Sequence, residues 1–426
     1  MYKRNGIEVR NGWLGGCCTA ALAEEYGTPL YVMDEEYIRG VCGEYTSALK
    51  EYGDGLICYA SKAFSCKEIY RIVNDEGMGT DVVSGGELLT AAAAGMPMDK
   101  VYFHGNNKTG AELLLAIKHK VRAVVVDSLS EIDFLQGIAA KQGAKVNALI
   151  RLNPGIAAHT HSFVQTATVD SKFGCPVSDG TAFRAAEKIA ASKNLKLIGL
   201  HSHIGSQIFE LEPYMLLADC FVKLALEIRD KLKIEIAEFN MGGGFGVRYT
   251  DEGAPCGFGE SVKYIAEKVK EKTAKAGLKK PFLVFEPGRS IVAEAGKTLY
   301  TVGAVKENGG KKYVAVDGGI FENPRYALYQ SKYSACLVKK ANVPATEKVT
   351  IAGKCCESGD IIIGETLLPK AERGDILEVF GTGAYNFSMA SNYNRNPVPS
   401  VVMVKDGKSR VIVKGQAYGD IMARDV

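Results

Sequence analysis

The feature that most constrains the fold is a series of eight short apolar segments, each followed by a helical pattern or a loop. Amphipathic helices are indicated at 86–94, 181–191 and 260–276, for example. Short apolar strands that alternate with helices are typical of parallel β/α units. Eight units predict a closed (β/α)8 barrel of the TIM type over residues 34–294, with an open doubly wound sheet as the alternative. The segments are Leu56–Ala60, Thr80–Ser84, Val101–Gly105, Ala123–Asp127, Ala148–Asn153, Leu197–His203, Ala237–Met241 and Leu283–Glu286.

The pattern changes after residue 294. The later apolar segments are short, rich in β-forming residues and interrupted by Gly, Asp and Asn, which predicts strands without intervening helices. We therefore expect an α/β plus all-β chain, in which residues 1–33 and 295–426 form a β-sandwich or β-barrel domain that contributes substrate-binding residues. A chain of 426 residues is also long for one core. The predicted strands are Thr298–Val305, Lys312–Val316, Lys348–Ala352, Ile376–Phe380 and Ser400–Lys405.

Composition excludes several classes of partner. Lys and Arg number 52 against 49 Asp and Glu, a net charge of +3, so there is no electrostatic basis for binding nucleic acid or an anionic membrane. The amino terminus has no apolar signal region, and no apolar run approaches the ~20 residues that cross a bilayer. The 11 cysteines are scattered and form no C-x-x-C motif, which suits a reducing cytoplasm.

Lys62 is the first candidate for chemistry, because it directly follows the first predicted strand. In (β/α)8 barrels the active site lies at the carboxyl ends of the strands. A lysine just beyond a buried strand can lose its proton more easily and react with an aldehyde. Considered alone, however, such a residue is more often a solvated loop lysine.

Three further strand ends carry polar or glycine residues. Strand six ends in His201 and His203, which could lie over a flat ring or form a metal pair, although no carboxylate follows at a zinc-binding spacing. Strand seven ends in Gly242–Gly244, where backbone N–H groups could approach a phosphate, or which could be a tight turn. Strand eight ends in Glu286, a carboxylate able to keep a pyridine nitrogen protonated. Together the four strand ends predict a site for pyridoxal 5'-phosphate (PLP).

The motifs resemble those of the diaminopimelate decarboxylases, PLP-dependent enzymes of the alanine racemase-like fold. They follow the order found in that family and span nearly the whole chain. The matching motifs are YASKAF (59–64), VVSGGEL (82–88), FHGNNK (103–108), RLNPG (151–155), SKFG (171–174), GLHSHIGSQ (199–207), NMGGGFG (240–246), EPGRSIVA (286–293), NPRYALY (323–329), CESGD (356–360) and GAYNFSMASNYN (383–394).

The resemblance implies a role for each matching residue. Lys62 would carry PLP as a Schiff base, and His203 would stack on its ring as a further catalytic residue. Glu286 would meet the pyridine nitrogen. The phosphate would be held by Ser206, Gly243, Gly288, Arg289 and Tyr385.

The same resemblance implies the substrate set and the assembly. Arg guanidinium suits a carboxylate at the far end of a diamino acid, and Glu357 could pair with the ammonium there. Cys356 would donate a proton to the carbanion, reaching the site from the partner subunit of a homodimer. A buried thiol without function is the more common state of a cysteine. The implied substrate-binding residues are Arg289, Arg325, Tyr329, Glu357 and Tyr385.

The activity implied is the decarboxylation of meso-2,6-diaminopimelate to L-lysine and CO2, the last step of lysine biosynthesis, with PLP as cofactor and no metal. Three alternatives remain: a related decarboxylase of basic amino acids or of polyamine synthesis, a non-catalytic PLP-binding relative, and a barrel enzyme acting on a phosphorylated sugar. Residues 159–161 (His-Thr-His) resemble the mobile lid of the family, and a metal pair there is a further possibility.

Overall fold

The computed structural model describes residues 2–4, 7–9, 11–156, 171–250 and 257–426. Its larger unit comprises Cys42–Gly246 and Pro255–Gly288. Eight parallel strands pair with one another in chain order, including the fourth with the fifth, and the eighth strand also pairs with the first. The barrel is therefore closed, and the predicted fold is confirmed. The strands β1–β8 are Gly55–Ala60, Gly79–Val82, Val101–Phe103, Ala123–Val126, Val146–Asn153, Leu195–His201, Glu238–Asn240 and Phe282–Phe285.

Helices follow most of the strands, as the periodicity predicts. Several begin at a side chain that accepts a hydrogen bond from the backbone of the first turn: Ser84, Thr109 and Ser128 each do so. Such a cap is typically worth about 1 kcal/mol. The helices α1–α7 are Lys67–Asp75, Gly85–Ala93, Gly110–His119, Leu129–Lys141, Thr181–Ala191, Glu212–Leu232 and Phe258–Lys275, and the helix Glu35–Lys50 precedes β1.

The amino-terminal end of the barrel is filled by apolar side chains and by a hydrogen-bonded cluster of polar side chains. Arg122, just before β4, forms an ion pair with Glu238 of β7, and Tyr102 of β3 donates to the same carboxylate over 2.7 Å. Apolar residues fill the interior nearby, among them Val125 and Leu149. This end of the barrel therefore has a structural role, and the active site is expected at the carboxyl ends of the strands.

The second unit comprises Met1–Val41, Val247–Ala254 and Arg289–Val426. Its long strand Gly296–Asn308 pairs with Leu30–Asp34, Lys311–Val316 and Ile376–Phe380, which joins the amino-terminal segment to the carboxyl-terminal sheet. Buried Tyr300 and Val302 lie in one apolar cluster of this unit, and Leu30 and Leu299 in another. The predicted C-terminal sheet domain is thus confirmed.

The other strands of this sheet are Glu347–Ala352, Ile361–Leu368, Ala335–Leu337, Val401–Lys405 and Lys408–Val413. Short ladders join Tyr2–Arg4 to Ile7–Val9 and Trp13–Leu14 to Cys17–Cys18. The α-helices of this unit are Thr19–Tyr26, Arg289–Val292, Arg325–Tyr329 and Tyr418–Met422. Among the described residues, no helix is both long and apolar enough to cross a membrane.

Candidate active site

Lys62 lies in a turn of 3-10 helix, Ser61–Ala63, directly after β1. Its neighbours Ser61 and Ala63 are buried, whereas Lys62 itself is exposed, so it is accessible from the carboxyl end of the barrel. Asp81 of β2 lies near it. Burial and the charge of Glu286 raise the pKa of Asp81 well above its usual value, and the ammonium of Lys62 opposes them. A basic and an acidic group thus share this end of the barrel.

Glu286 directly follows β8 and is buried. Its Oε1 accepts a hydrogen bond from Asn240 Nδ2 over 2.6 Å and lies 2.8 Å from His104 Nε2. Its Oε2 lies 3.1 Å from His201 Nε2. Burial alone would raise the pKa of this carboxyl. The interactions with His104 and His201, hydrogen bonds among them, outweigh burial and hold the pKa well below its usual range. Glu286 is therefore a buried carboxylate surrounded by nitrogen atoms.

His201 is neutral at physiological pH, because burial lowers its pKa to about 3. Its Nε2 is then the protonated ring nitrogen that donates to Glu286, and its Nδ1 is buried without a hydrogen-bond partner among the described residues. His104 packs edge-on against it, with ring centroids 4.6 Å apart.

The nitrogen and oxygen atoms of His104, His201 and Glu286 all lie within 4.8 Å of one another, close enough to hold a metal ion. Among the described residues, this trio is the group of three potential ligands that lie this close together. Hydrogen bonding around one carboxylate accounts for the same arrangement.

His203 and Ser206 lie in the loop after β6, and both are half-buried. The predicted strand ran to residue 203, but β6 ends at His201, where its ladder with β7 stops. Burial, followed by the charges of Lys62 and Arg151, lowers the pKa of His203 well below its usual value. The lowered pKa favours the neutral imidazole, whose flat ring is suited to lie against another ring near Lys62.

The loop after β7 requires glycine because its backbone lies very close to other backbone atoms. A Cβ on Gly243 would lie 2.0 Å from the carbonyl oxygen of Glu286, and Gly242 has φ +67°. Within the described residues, no hydrogen bond uses the N–H of Gly243 or Gly244. Gly288 is similarly tight, since a Cβ there would lie 2.8 Å from the Cβ of Ala60. The loop after β7 thus offers backbone donors of the kind that hold phosphate.

In the sheet unit, Arg289 begins a short helix, and its guanidinium carbon lies 4.7 Å from the ring centroid of Tyr385. Its Nη1 donates to the Tyr249 hydroxyl over 2.7 Å. Tyr385 has φ +61°, a left-handed conformation that side chains other than glycine seldom adopt. Such strain is often found at functional sites.

Arg325 is buried at the start of the helix Arg325–Tyr329. Its Nη1 donates to the Tyr333 hydroxyl over 2.8 Å, and its guanidinium lies 4.8 Å from the Tyr249 ring centroid. Its Nε is buried with no hydrogen-bond partner in the part of the chain that is described. Burial would lower the pKa of Arg325, but the phenols of Tyr249, Tyr333 and Tyr385 raise it. Tyr329, four residues on, is half-buried.

Cys356 and Glu357 lie in an exposed loop of the sheet unit. The backbone N–H of Cys356 donates to Asn394 Oδ1 over 2.8 Å, and Glu357 Oε1 accepts from the N–H of Gly359 over 3.2 Å. None of the contacts described for this loop brings either side chain to another predicted site residue of the sheet unit. The lid expected at residues 159–161 lies outside the described residues.

Sequence reasoning missed five residues of these clusters. Asp81 lies in β2, His104 directly follows β3, and Asn240 ends β7. A search of every strand end for polar side chains would have found these three. Tyr249 and Tyr333 follow no predicted strand end, and no sequence signal pointed to them.

The residues present fit PLP. The cofactor's phosphate requires backbone donors, which Gly243 and Gly244 offer. Its pyridine nitrogen requires an ionised carboxylate, which Glu286 provides. Its aldehyde requires an accessible lysine, and Lys62 is exposed.

Fold and site together define a pyridoxal-dependent decarboxylase, and comparison with known proteins agrees. The family described as "Pyridoxal-dependent decarboxylase, pyridoxal binding domain" matches residues 39–293. The diaminopimelate decarboxylase of Bacillus subtilis (strain 168) is 45% identical over 97% of this chain and 94% of its own. That of Staphylococcus aureus (strain COL) is 44% identical over 100% and 99%. The chain therefore belongs to the diaminopimelate decarboxylase family.

Solved structures agree with this assignment. Diaminopimelate decarboxylase from M. jannaschii, in complex with L-lysine, has a TM-score of 0.90 at 34% identity and covers 98% of this chain and 97% of its own. The lysine/ornithine decarboxylase of Vibrio vulnificus, at 24% identity and a TM-score of 0.76, shares the fold.

Proposed function

We propose that this chain decarboxylates meso-2,6-diaminopimelate to L-lysine and CO2, with PLP as cofactor, at the end of lysine biosynthesis. The choice of substrate rests on Arg325, a buried cation whose Nε–H has no hydrogen-bond partner among the described residues. A carboxylate at the non-reacting end of the substrate would supply the missing acceptor. Ornithine has no such carboxylate, and leaving a buried polar group unpaired is a strong means of discrimination.

The barrel residues would hold and tune the cofactor. In this proposal Lys62 binds it covalently, His203 lies against its ring, and Glu286 accepts a hydrogen bond from the ring nitrogen. Bound PLP supplies an electron sink for the electron pair that CO2 leaves behind. Because Glu286 is already ionised, it can keep a proton on that nitrogen. The phosphate would be held by Ser206, Gly243, Gly288, Arg289 and Tyr385.

The residues of the sheet unit would bind the rest of the substrate. Arg325, with Arg289 and Tyr385, receives the distal carboxylate, Tyr329 lies beside them, and Glu357 pairs with the distal ammonium. Cys356 donates the proton that replaces CO2 at the reacting carbon. Its exposure suits a thiol that completes the site of a neighbouring copy, and we infer a cytoplasmic homodimer with shared sites.

Steady-state turnover of meso-diaminopimelate, with and without added PLP, tests the function. We expect L-lysine and CO2 in equal amounts, and activity that rises when PLP is added to cofactor-depleted protein. No lysine formation with PLP present, or product formed equally well from ornithine, would contradict the proposal.

Mixed subunits test the shared site. Lys62→Ala and Cys356→Ala variants, each inactive alone, should recover part of the activity when mixed, because one hybrid site contains both native residues. The same mixture of Lys62→Ala with Lys62→Ala/Cys356→Ala protein is the control and should stay inactive. No recovery, despite measured subunit exchange, would exclude shared sites.

A further inference from the structure

Tyr249 lies between the two arginines of the sheet unit. Its hydroxyl accepts a hydrogen bond from Arg289 Nη1 over 2.7 Å, and its ring centroid lies 4.8 Å from the guanidinium carbon of Arg325. One phenol therefore contacts two guanidinium groups that come from separate helices, Arg289–Val292 and Arg325–Tyr329.

The position of Tyr249 is fixed by its surroundings. Its carbonyl oxygen accepts a hydrogen bond from Ser334 Oγ over 3.2 Å, and its ring packs edge-on against Tyr333, with centroids 5.8 Å apart. Gly381 lies so close that an added Cβ would be 3.1 Å from the ring. A phenol held in this way can determine where the two arginine side chains lie.

A phenol and a carboxylate differ in how much of the positive charge of the two arginines they leave available to a ligand. Two neighbouring guanidinium groups repel one another, and a carboxylate between them would neutralise charge that a ligand could use. A phenol accepts the hydrogen bond and offers its ring face while it remains neutral near pH 7. Burial would raise the pKa of Tyr249, but Arg289 and Arg325 lower it, which is consistent with this close contact. A phenol that keeps its proton leaves the positive charge of the two arginines available to a ligand.

We propose that Tyr249 is a positioning residue that sets the spacing of the Arg289 and Arg325 guanidinium groups and so makes the site selective for a carboxylate ligand. The inference rests on the proposed function, because it assigns these arginines to the carboxylate that the reaction retains. Tyr249 acts through the arginines and not on the reacting atoms.

Ligand binding to the PLP-loaded enzyme provides a test separate from turnover. L-Lysine retains the carboxylate, whereas 1,5-diaminopentane has the same two amines and no carboxylate. By calorimetry, Tyr249→Phe should weaken L-lysine binding about 10- to 100-fold, the range for a lost charge-assisted hydrogen bond, and leave the diamine within about 2-fold. Its KM for meso-diaminopimelate should rise similarly, with kcat little changed. Tyr264→Phe, which alters an exposed phenol on α7, is the control.

A second variant separates positioning from packing. Tyr249→Glu should weaken L-lysine binding more than Tyr249→Phe, because the new carboxylate would occupy both arginines while it keeps them in place. Equal L-lysine affinity in wild type and Tyr249→Phe, or equal weakening for both ligands, would overturn the inference even if the enzyme is fully active. If wild-type protein neither binds L-lysine nor consumes meso-diaminopimelate, the proposed function itself fails.

Discussion

The two units each bury a charged group among hydrogen-bonding side chains, but the charges are opposite. In the barrel, the Glu286 carboxylate lies among Asn240, His104 and a neutral His201. In the sheet unit, the Arg325 guanidinium lies among phenols, and its Nε has no partner within the described residues. A buried anion can attract a cationic ring nitrogen, and a buried cation can attract a carboxylate. The comparison suggests that cofactor and substrate are selected by complementary charge.

Removal of the covalent anchor should have the largest effect. Lys62→Ala should lower kcat/KM for meso-diaminopimelate on the order of 10^3-fold or more, because the amine that forms the covalent bond to the cofactor is removed. The absorbance of the protein-bound cofactor above 400 nm should also be lost. Lys141→Ala, at an exposed lysine of α4, is the control and should change neither quantity. A yellow, active Lys62→Ala protein would refute the role of this lysine.

Removal of the negative charge in the barrel should have the next largest effect. Glu286→Gln keeps the shape of the side chain but cannot hold a proton on the ring nitrogen by charge, so kcat should fall about 100-fold, the range for lost electrostatic stabilisation. Stopped-flow and steady-state kinetics would measure this. The exposed Glu260→Gln should behave as wild type. An unchanged kcat would show that the buried anion is not needed for chemistry.

Removal of the positive charge in the sheet unit should affect binding more than chemistry. Arg325→Leu should raise KM for meso-diaminopimelate about 10- to 100-fold, since a charge-assisted hydrogen bond is lost while the reacting end is untouched. Arg373→Leu removes an exposed guanidinium and is the matched control. A loss confined to kcat would contradict the assignment of Arg325 to the distal carboxylate.

The same comparison shows what could be predicted from the sequence. The barrel was predictable because fully buried strands such as Ala123–Val126 must be apolar throughout, and the end of each strand marks the edge where chemistry gathers. Lys62 and Glu286 follow from that rule. His104 and Asn240 obey it too, but their role appears only when strands distant in sequence meet around Glu286.

The site residues of the sheet unit could not be derived in this way. Arg325 lies on a five-residue helix, and its contact with Tyr249 joins residues 76 apart in the chain by tertiary packing alone. No periodicity marks either residue, so only the family resemblance indicated Arg325, and nothing indicated Tyr249.

A difference that concerns stability and not turnover is expected in how the two units respond to pH. Burial lowers the pKa of His201 to about 3, below the ~6.5 of an unfolded histidine. The unfolded chain therefore binds the extra proton, and the contribution of His201 to stability is lost as pH falls from about 6.5 towards 3. Burial raises the pKa of Glu322 in the sheet unit to about 8, so its contribution is lost as pH rises from about 4.3 to 8.

Comparison with Glu322→Gln isolates the loss of unfolding free energy that Glu322 causes as pH rises. Relative to this variant, wild type should lose about 1 kcal/mol of unfolding free energy per pH unit between pH 5 and 8. Denaturant unfolding at three pH values would measure the slope, and the exposed Glu372→Gln should leave it unchanged. Equal slopes in wild type and Glu322→Gln would mean that the buried acid is ionised throughout this range.

The most direct test of the account is the ratio of kcat/KM for meso-diaminopimelate to that for L-ornithine, measured with PLP-loaded enzyme. A site whose buried cation requires a second carboxylate predicts a ratio of about 10^3 or more in favour of meso-diaminopimelate. The ratio should fall steeply in Arg325→Leu, chiefly through loss of the preferred substrate. A ratio near one, or faster turnover of ornithine by wild type, would contradict the account.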